Sequence, residues 1–322
     1  MKKYPVKHHY VPRFYLTGFT NESKEESKLY VFDTEKMDLR TSTPINEGFE
    51  NHLYRLDTRP TDEGDILDVF EIEKGFGNFE DVVSPILKKV RDTFELPEGE
   101  DLDILINFIA LQSVRTPYHI NNFDKPIQDI SKMSMKMMLS TKERWESVVN
   151  RVKKEKPDFN PKLGYESMKK FVDKGNYDVI VARNYKLSMM LSSIDIMISL
   201  LGQRQWSLWI ASDLMSHFIC SDDPVTITWT NGLSAAGLQK VPGFGMNNTN
   251  VIMPISKNIA IIGKFEINTG AICSAHAVAN INTRTMMFAK RYLYSNMESF
   301  IYINKNQQLD NSSNFLKELR QS

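Results

Sequence analysis

The chain has 322 residues, 41% apolar and 11% aromatic, enough to bury a core and incompatible with a disordered or collagen-like polypeptide. Forty Lys and Arg balance forty Asp and Glu, which excludes the uniformly basic surface of a protein that coats nucleic acid or membrane. Two cysteines, Cys220 and Cys273, form no zinc-ribbon spacing and no disulfide framework by themselves, so a reducing, cytoplasmic setting is expected.

The neutral total conceals segregation. Residues 1–60 carry 10 basic and 9 acidic side chains, 61–108 carry 4 and 14, and 109–322 carry 26 and 17. The first residues are cationic, with no acid before Glu22. A local site for an anion is therefore compatible with the zero. The N-terminus lacks the apolar run of an export signal. The most apolar later stretch, 187–201, is interrupted by Ser188, Ser192, Ser193, Asp195 and Ser199, so no membrane association is expected.

In chain order, Pro12 suits the first turn of a short helix over 13–19. Residues 28–33 and 37–43 alternate around a Thr-Glu-Lys turn and predict a β-hairpin, with a third strand at 52–56. From Asp65 the period becomes helical, with a break expected at Gly75-Phe76-Gly77 and a second apolar helix over 102–114 that Thr116-Pro117 should stop. Residues 118–150 continue in helical style, their clustered Met133, Met135, Met137 and Met138 reading as adaptable core. A linker over 153–162 leads to helices at 162–174 and 178–201.

Five short β-branched or aromatic runs then predict strands at 205–211, 217–220, 225–229, 250–253 and 259–263, with a long polar loop over 231–250. A helix over 271–289, a strand at 292–295 and an amphipathic tail complete the reading. The fold class is α+β: a small N-terminal β-hairpin module, a central helical block, and a C-terminal antiparallel or mixed sheet with a helix. A single domain over 1–322 is expected, with sub-regions 1–60, 61–201, 202–300 and 301–322.

Four clusters hold more reactive polar groups than packing requires. In the first, His8 and His9 lie beside Arg13 and Tyr15; adjacent histidines in extended chain face opposite sides, so one of them faces a given site. Glu73 and Glu80, seven apart, share a face if the helix continues through the glycines, and two carboxylates suit a divalent cation or acid–base work. Glu73 reads as an ordinary exposed helix glutamate, whereas Glu80 has apolar neighbours. Gln112 and Arg115, three apart in an apolar helix, need a carboxylate or an anionic ligand as partner. Cys220-Ser221-Asp222-Asp223-Pro224 sits on a turn between two strands, where an Asp can hold a metal, orient a histidine or cap the turn. No Walker A loop, GxGxxG, HExxH, GxSxG or kinase motif is present.

Taken together, His8-His9-Tyr10-Val11-Pro12-x-Phe14-Tyr15-Leu16-x-x-Phe19, Glu80, Leu111-Gln112-x-x-Arg115-Thr116-Pro117, Ser221-Asp222-Asp223-Pro224-Val225, Asn282 and the run from Ala289 to Ser295 are similar to the domain of unknown function 4238 family. Those are mostly bacterial, uncharacterised proteins, so the resemblance brings motif positions and no activity. It implies that His8 or His9, Arg13, Glu80, Gln112, Arg115, Ser221 and Asp222 belong to one site.

The expected function is a hydrolase of a phosphate-containing substrate, a nuclease or phosphodiesterase, with nucleic acid or a nucleotide as partner. His8, His9, Glu80 and Asp222 are the candidate catalytic residues. Arg13, Tyr15, Gln112, Arg115 and Ser221 are the candidate substrate contacts, and Glu80 with Asp222 would hold Mg or Mn. Two other classes remain open: a metal-free enzyme acting on a nucleotide's glycosidic bond, and a non-enzymatic ligand-sensing or toxin-like defence protein. Membership of the HNH nucleases is not expected, because Asn46 and His52 lie too far from His8 and His9 and lack the helix context.

Overall fold

A computed structural model describes residues 6–58, 68–212, 216–230 and 241–313. The chain divides into two compact units, residues 1–119 with 190–322 and residues 120–189.

In the larger unit, β1 (Lys7–His9) is followed by a single helical turn, α1 (Arg13–Leu16), then β2 (Leu29–Asp33), β3 (Asp38–Ser42) and β4 (Phe49–Asn51). Pro12 stands one place earlier than expected, as the extended residue that caps α1. The predicted hairpin forms, pairing Val31 with Arg40. The third strand lies at β4 rather than at 52–56. There it pairs antiparallel with β1, His8 opposite Glu50, while His52 enters a left-handed turn at φ 57°. Gly48, at φ +67°, makes this return possible, because a Cβ there would fall 2.8 Å from the Val11 carbonyl.

Helix α2 (Glu71–Thr93) runs without a break through Gly75 and Gly77, which corrects the expected interruption. Ile72, Phe76, Val83, Ile86, Leu87 and Val90 bury one stripe, and this packing outweighs the low helix propensity of two solvent-facing glycines. α3 (Glu100–Val114) is apolar almost all round and accordingly buried from Phe108 to Val114. A short α4 (Pro117–Asn121) follows.

In the smaller unit α5 (Asp124–Met138), α6 (Lys142–Glu155) and α7 (Tyr165–Lys174) precede the start of α8 (Arg183–Leu201). The Tyr165 hydroxyl donates to the Leu139 carbonyl at 3.2 Å, and Lys186 pairs with Asp124 at 3.1 Å. The methionine cluster is not core: no residue of α5 is buried, and Met133 and Met137 are exposed. A unit this small has too little interior to cover every apolar side chain.

The chain then builds β5 (Gln205–Ala211), β6 (Cys220–Ser221), β7 (Thr226–Trp229), β8 (Thr249–Ser256), β9 (Ile259–Lys264), β10 (Ala271–Cys273), α9 (Ala275–Phe288), β11 (Tyr292–Ser295), β12 (Ile301–Ile303) and β13 (Leu309–Asn311). The expected helix over 271–289 is shorter, because its first residues pair with β5 as β10 and Ser274 caps α9. The predicted loop over 231–250 falls partly outside the described residues.

One sheet has the order β10-β5-β9-β8-β7 and is mixed, its β10–β5 pair being parallel. The other has the order β3-β2-β11-β6, so the N-terminal hairpin is completed by strands from the far end of the chain. The fold is thus α+β as expected, with the N-terminal hairpin extended into a shared sheet by strands from the C-terminal region. Arg91 of α2 ties the first motif to the mixed sheet. Its guanidinium donates to the carbonyls of Phe14 at 2.9 Å, Tyr15 at 2.8 Å and Ile255 at 2.8 Å. Burial brings its pKa down to about 10. No helix among the described residues is long and apolar enough to cross a membrane.

Candidate functional site

Arg115 closes the C-terminus of α3, and its side chain is 1% exposed. Such a guanidinium must spend its donors on protein acceptors. Nη1 donates to Glu80 Oε1 at 2.8 Å, Nη2 to the His9 carbonyl, and Nε to the Tyr54 hydroxyl at 3.4 Å. Tyr54 returns its hydroxyl proton to the Arg115 carbonyl at 2.8 Å, and the Phe76 ring lies 4.9 Å from the guanidinium carbon. Burial works to lower the Arg115 pKa, but Tyr54 and Glu80 raise it by more, so the charge is secure. With its amide turned to satisfy both neighbours, Gln112 donates to the Tyr10 carbonyl at 3.2 Å and accepts from Arg115 Nη1 at 3.3 Å.

Because α2 is continuous, Glu73 and Glu80 stand two turns apart on one face. Both are partly buried, at 20% and 23% side-chain exposure. Glu73 Oε2 lies 3.5 Å from His8 Nδ1, a distance that suggests an ion pair. That same nitrogen already accepts the Tyr54 backbone N–H at 3.1 Å, so it carries no proton to share. Its one lone pair is therefore taken, and the buried Glu73 Oε2 is left without a hydrogen-bond partner among the described residues. Burial pushes the Glu73 pKa up to about 7, with Glu80 adding to the rise and Arg115 and Arg13 opposing it.

His9 takes the opposite course. Burial first, then the charge of Arg13, brings its pKa down to about 4, so its imidazole is neutral at pH 7. The ring is hydrogen-bonded to the Ile45 backbone, and its buried Nε2 has no hydrogen-bond partner among the described residues. Arg13 sits at the rim, 44% exposed, 3.2 Å from Glu25, and its charge acts on both Glu73 and His9.

The structure thus joins His8, His9, Glu80, Gln112 and Arg115, with Arg13 at the edge. It places Tyr15 elsewhere: that phenol is fully buried and donates to the Pro254 carbonyl at 2.5 Å. Ser221 and Asp222 form another knot. Asp222 Oδ1 accepts from the Lys290 N–H at 2.8 Å, and Oδ2 from those of Arg291 at 2.8 Å and Tyr292 at 3.0 Å. Burial raises the Asp222 pKa while these three donors pull it back. The Ser221 hydroxyl bonds the backbone of Asp223. Tyr10 stands between the two groups, its phenol made less acidic by burial and by the charge of Asp222, with Tyr54 contributing. Asn282 is likewise internal, its amide bonded to the backbone of Ile219, His217 and Ile301.

Two participants had little sequence signal. Tyr54 is one aromatic in a turn, and Glu73 looks like a surface glutamate apart from its spacing from Glu80. For the expected metal, Glu80 Oε1 is held by Arg115 and both Asp222 oxygens by backbone N–H groups. Among the described residues no group of three or more His, Cys, Asp or Glu side chains is arranged to hold a metal ion.

A family model described as a protein of unknown function, DUF4238, matches residues 7–299. No curated protein and no solved structure matches the chain.

Proposed function

The chain belongs to the DUF4238 family, a family of unknown function, and we propose that it is a hydrolase of a phosphate-bearing, nucleotide-class substrate in which Glu73 moves the proton. The observation that carries this reading is the placement of Glu73, a carboxyl 20% exposed and two turns along one face from an arginine-bound carboxylate, where burial pushes its pKa up to about 7. A group poised near neutrality exists in both protonation states, which is the condition for efficient general acid–base work.

Arg13, exposed and adjacent, supplies charge for the substrate's phosphate. The neutral His9, its ring bonded to the Ile45 backbone, adds no charge of its own to the site at pH 7. Arg115 touches no substrate in this scheme. It fixes Glu80, Tyr54 and the His9 carbonyl, and so holds the site's geometry. In the reaction, Glu73 takes a proton from water, the water oxygen bonds to phosphorus, and the ester P–O bond breaks. Glu73 then gives that proton to the departing oxygen and returns to its carboxylate form.

A second reading has its own support: two carboxylates on one face, one of them holding its proton, also suit cleavage of a glycosidic bond. Both are tested by incubating the full chain with DNA, RNA and nucleoside phosphates, with and without Mg²⁺ or Mn²⁺, beside Glu73→Gln and Glu80→Gln. Turnover that depends on a group titrating near pH 7 and is lost in Glu73→Gln is expected. Turnover unchanged by Glu73→Gln refutes the assignment, and release of free base in place of phosphate or nucleotide selects the glycosidic reading.

A further inference from the structure

A second polar cluster in the larger unit lies outside the site described above. Asp223 is 2% exposed, yet its carboxylate meets two side chains that reach solvent. Oδ1 lies 3.3 Å from His119 Nε2, and Oδ2 lies 3.3 Å from Lys290 Nζ. The imidazole is 34% exposed and the lysine side chain 33%. The ammonium also rests 3.7 Å above the centre of the Tyr118 ring. One lysine is enough to neutralise a buried carboxylate, so the histidine needs a separate reason.

An ionised carboxylate only accepts hydrogen bonds, so His119 Nε2 carries the proton that faces Asp223. In the neutral ring, Nδ1 is then a lone pair. Lysine has three N–H donors, of which one is directed at Asp223. An acceptor and a donor of positive charge therefore stand on the two oxygens of one buried acid. Neighbouring groups hold them in place. Asp222 grips the backbone N–H of residues 290, 291 and 292, while Asp223 grips the side chain of Lys290. The Ser221 hydroxyl fixes the Asp223 backbone on both sides, donating to its carbonyl at 2.8 Å and accepting its N–H at 3.2 Å. Groups locked in this way by their surroundings have the preorganisation that a binding site requires and a solvated ion pair lacks.

We propose that His119 and Lys290, oriented by Asp223, form a binding site for a phosphate monoester or inorganic phosphate. A phosphate monoanion has both partners the pair calls for: an acidic P–O–H that donates to His119 Nδ1 and an anionic oxygen that accepts from Lys290. Asp223 is the positioning residue and does not touch the ligand. The site stands independently of the acid–base centre at Glu73.

The test is an NMR titration of the full chain with inorganic phosphate, following the histidine ring Cε1–H signals, with His119→Gln identifying its own resonance. A saturable shift of the His119 signal is expected, reduced at least tenfold in apparent affinity in Lys290→Met, largely restored in Lys290→Arg, and unchanged in Glu73→Gln. The other histidine signals report whether each variant remains folded. No saturable shift at His119 in the wild-type chain overturns the proposal. So does an equal shift in a folded Lys290→Met. If Lys290→Met unfolds, Lys290→Gln and ³¹P line broadening with His119→Gln decide: binding unchanged by the His119 substitution also overturns it.

Discussion

Replacing Arg115 by Met keeps most of the side chain's length and removes its charge. Lost are the donations to Glu80, the His9 carbonyl and the Tyr54 hydroxyl. Removing one partner of a buried ion pair costs about 3–5 kcal/mol, because the other charge is stranded. Glu80 is 23% exposed and keeps part of its hydration, which puts the loss at the lower end, about 3 kcal/mol. Glu80→Gln should cost a similar amount, about 3 kcal/mol, since it leaves the buried guanidinium without a counter-charge while the His9 carbonyl and Tyr54 still accept its N–H groups. The double variant should fall short of the sum by about 1–2 kcal/mol, because no acid is then left unpaired. Urea unfolding of the four proteins, followed by the near-ultraviolet circular dichroism of the buried tyrosines, measures each term. An Arg115→Met protein within about 1 kcal/mol of wild type, or strict additivity in the cycle, would falsify the account of Arg115 as the centre of the network.

The two shifted groups of the site predict opposite pH responses. Glu73, raised from 4.5 to about 7, contributes stability that is present below pH 4.5 and lost as pH rises to 7. His9, lowered from 6.5 to about 4, contributes stability present above pH 6.5 and lost as pH falls to 4. Each effect is roughly 2–3 kcal/mol after allowance for partial exposure, and in the wild type they offset. Glu73→Gln should thus be more stable than wild type at pH 8 and steepen the loss on acidification, whereas His9→Gln should gain relative stability as pH falls; denaturation midpoints at pH 5 and 8 that move the other way reject the assigned shifts. Gly75→Ala and Gly77→Ala, in a continuous helix with open space at each Cβ, should each raise stability by about 0.5–1 kcal/mol in the same unfolding assay. Gly18→Ala should instead destabilise by about 1–3 kcal/mol. Its Cβ would fall 2.6 Å from Arg91 Nη2 and 2.8 Å from the Ile255 carbonyl, and Arg91 is pinned by its other bonds; a neutral melting shift would show that Arg91 can yield.

Much of the local structure follows from residue order alone. Alternation over 28–33 and 37–43 specified the hairpin, and the apolar content of 102–114 specified a buried helix whose Gln112 and Arg115 had to find partners. Those are local consequences of side-chain periodicity and of the cost of burying unpaired polar groups. The family motifs likewise marked His8, His9, Glu80 and Arg115 before any geometry was known. Tertiary packing decided the rest. It carried α2 through Gly75 and Gly77, and so brought Glu73 back to the face of Glu80. It closed the N-terminal hairpin with β11 and β6, placed Tyr54 beneath Arg115, and separated Asp222, held by three backbone donors, from Glu80, held by a guanidinium. It also set Glu73 and His9 on opposite sides of their ordinary pKa values. Burial and distant charges act through space, and a carboxyl's neighbours in sequence do not reveal which arginine, helix or wall of aromatic rings will surround it once the chain has folded.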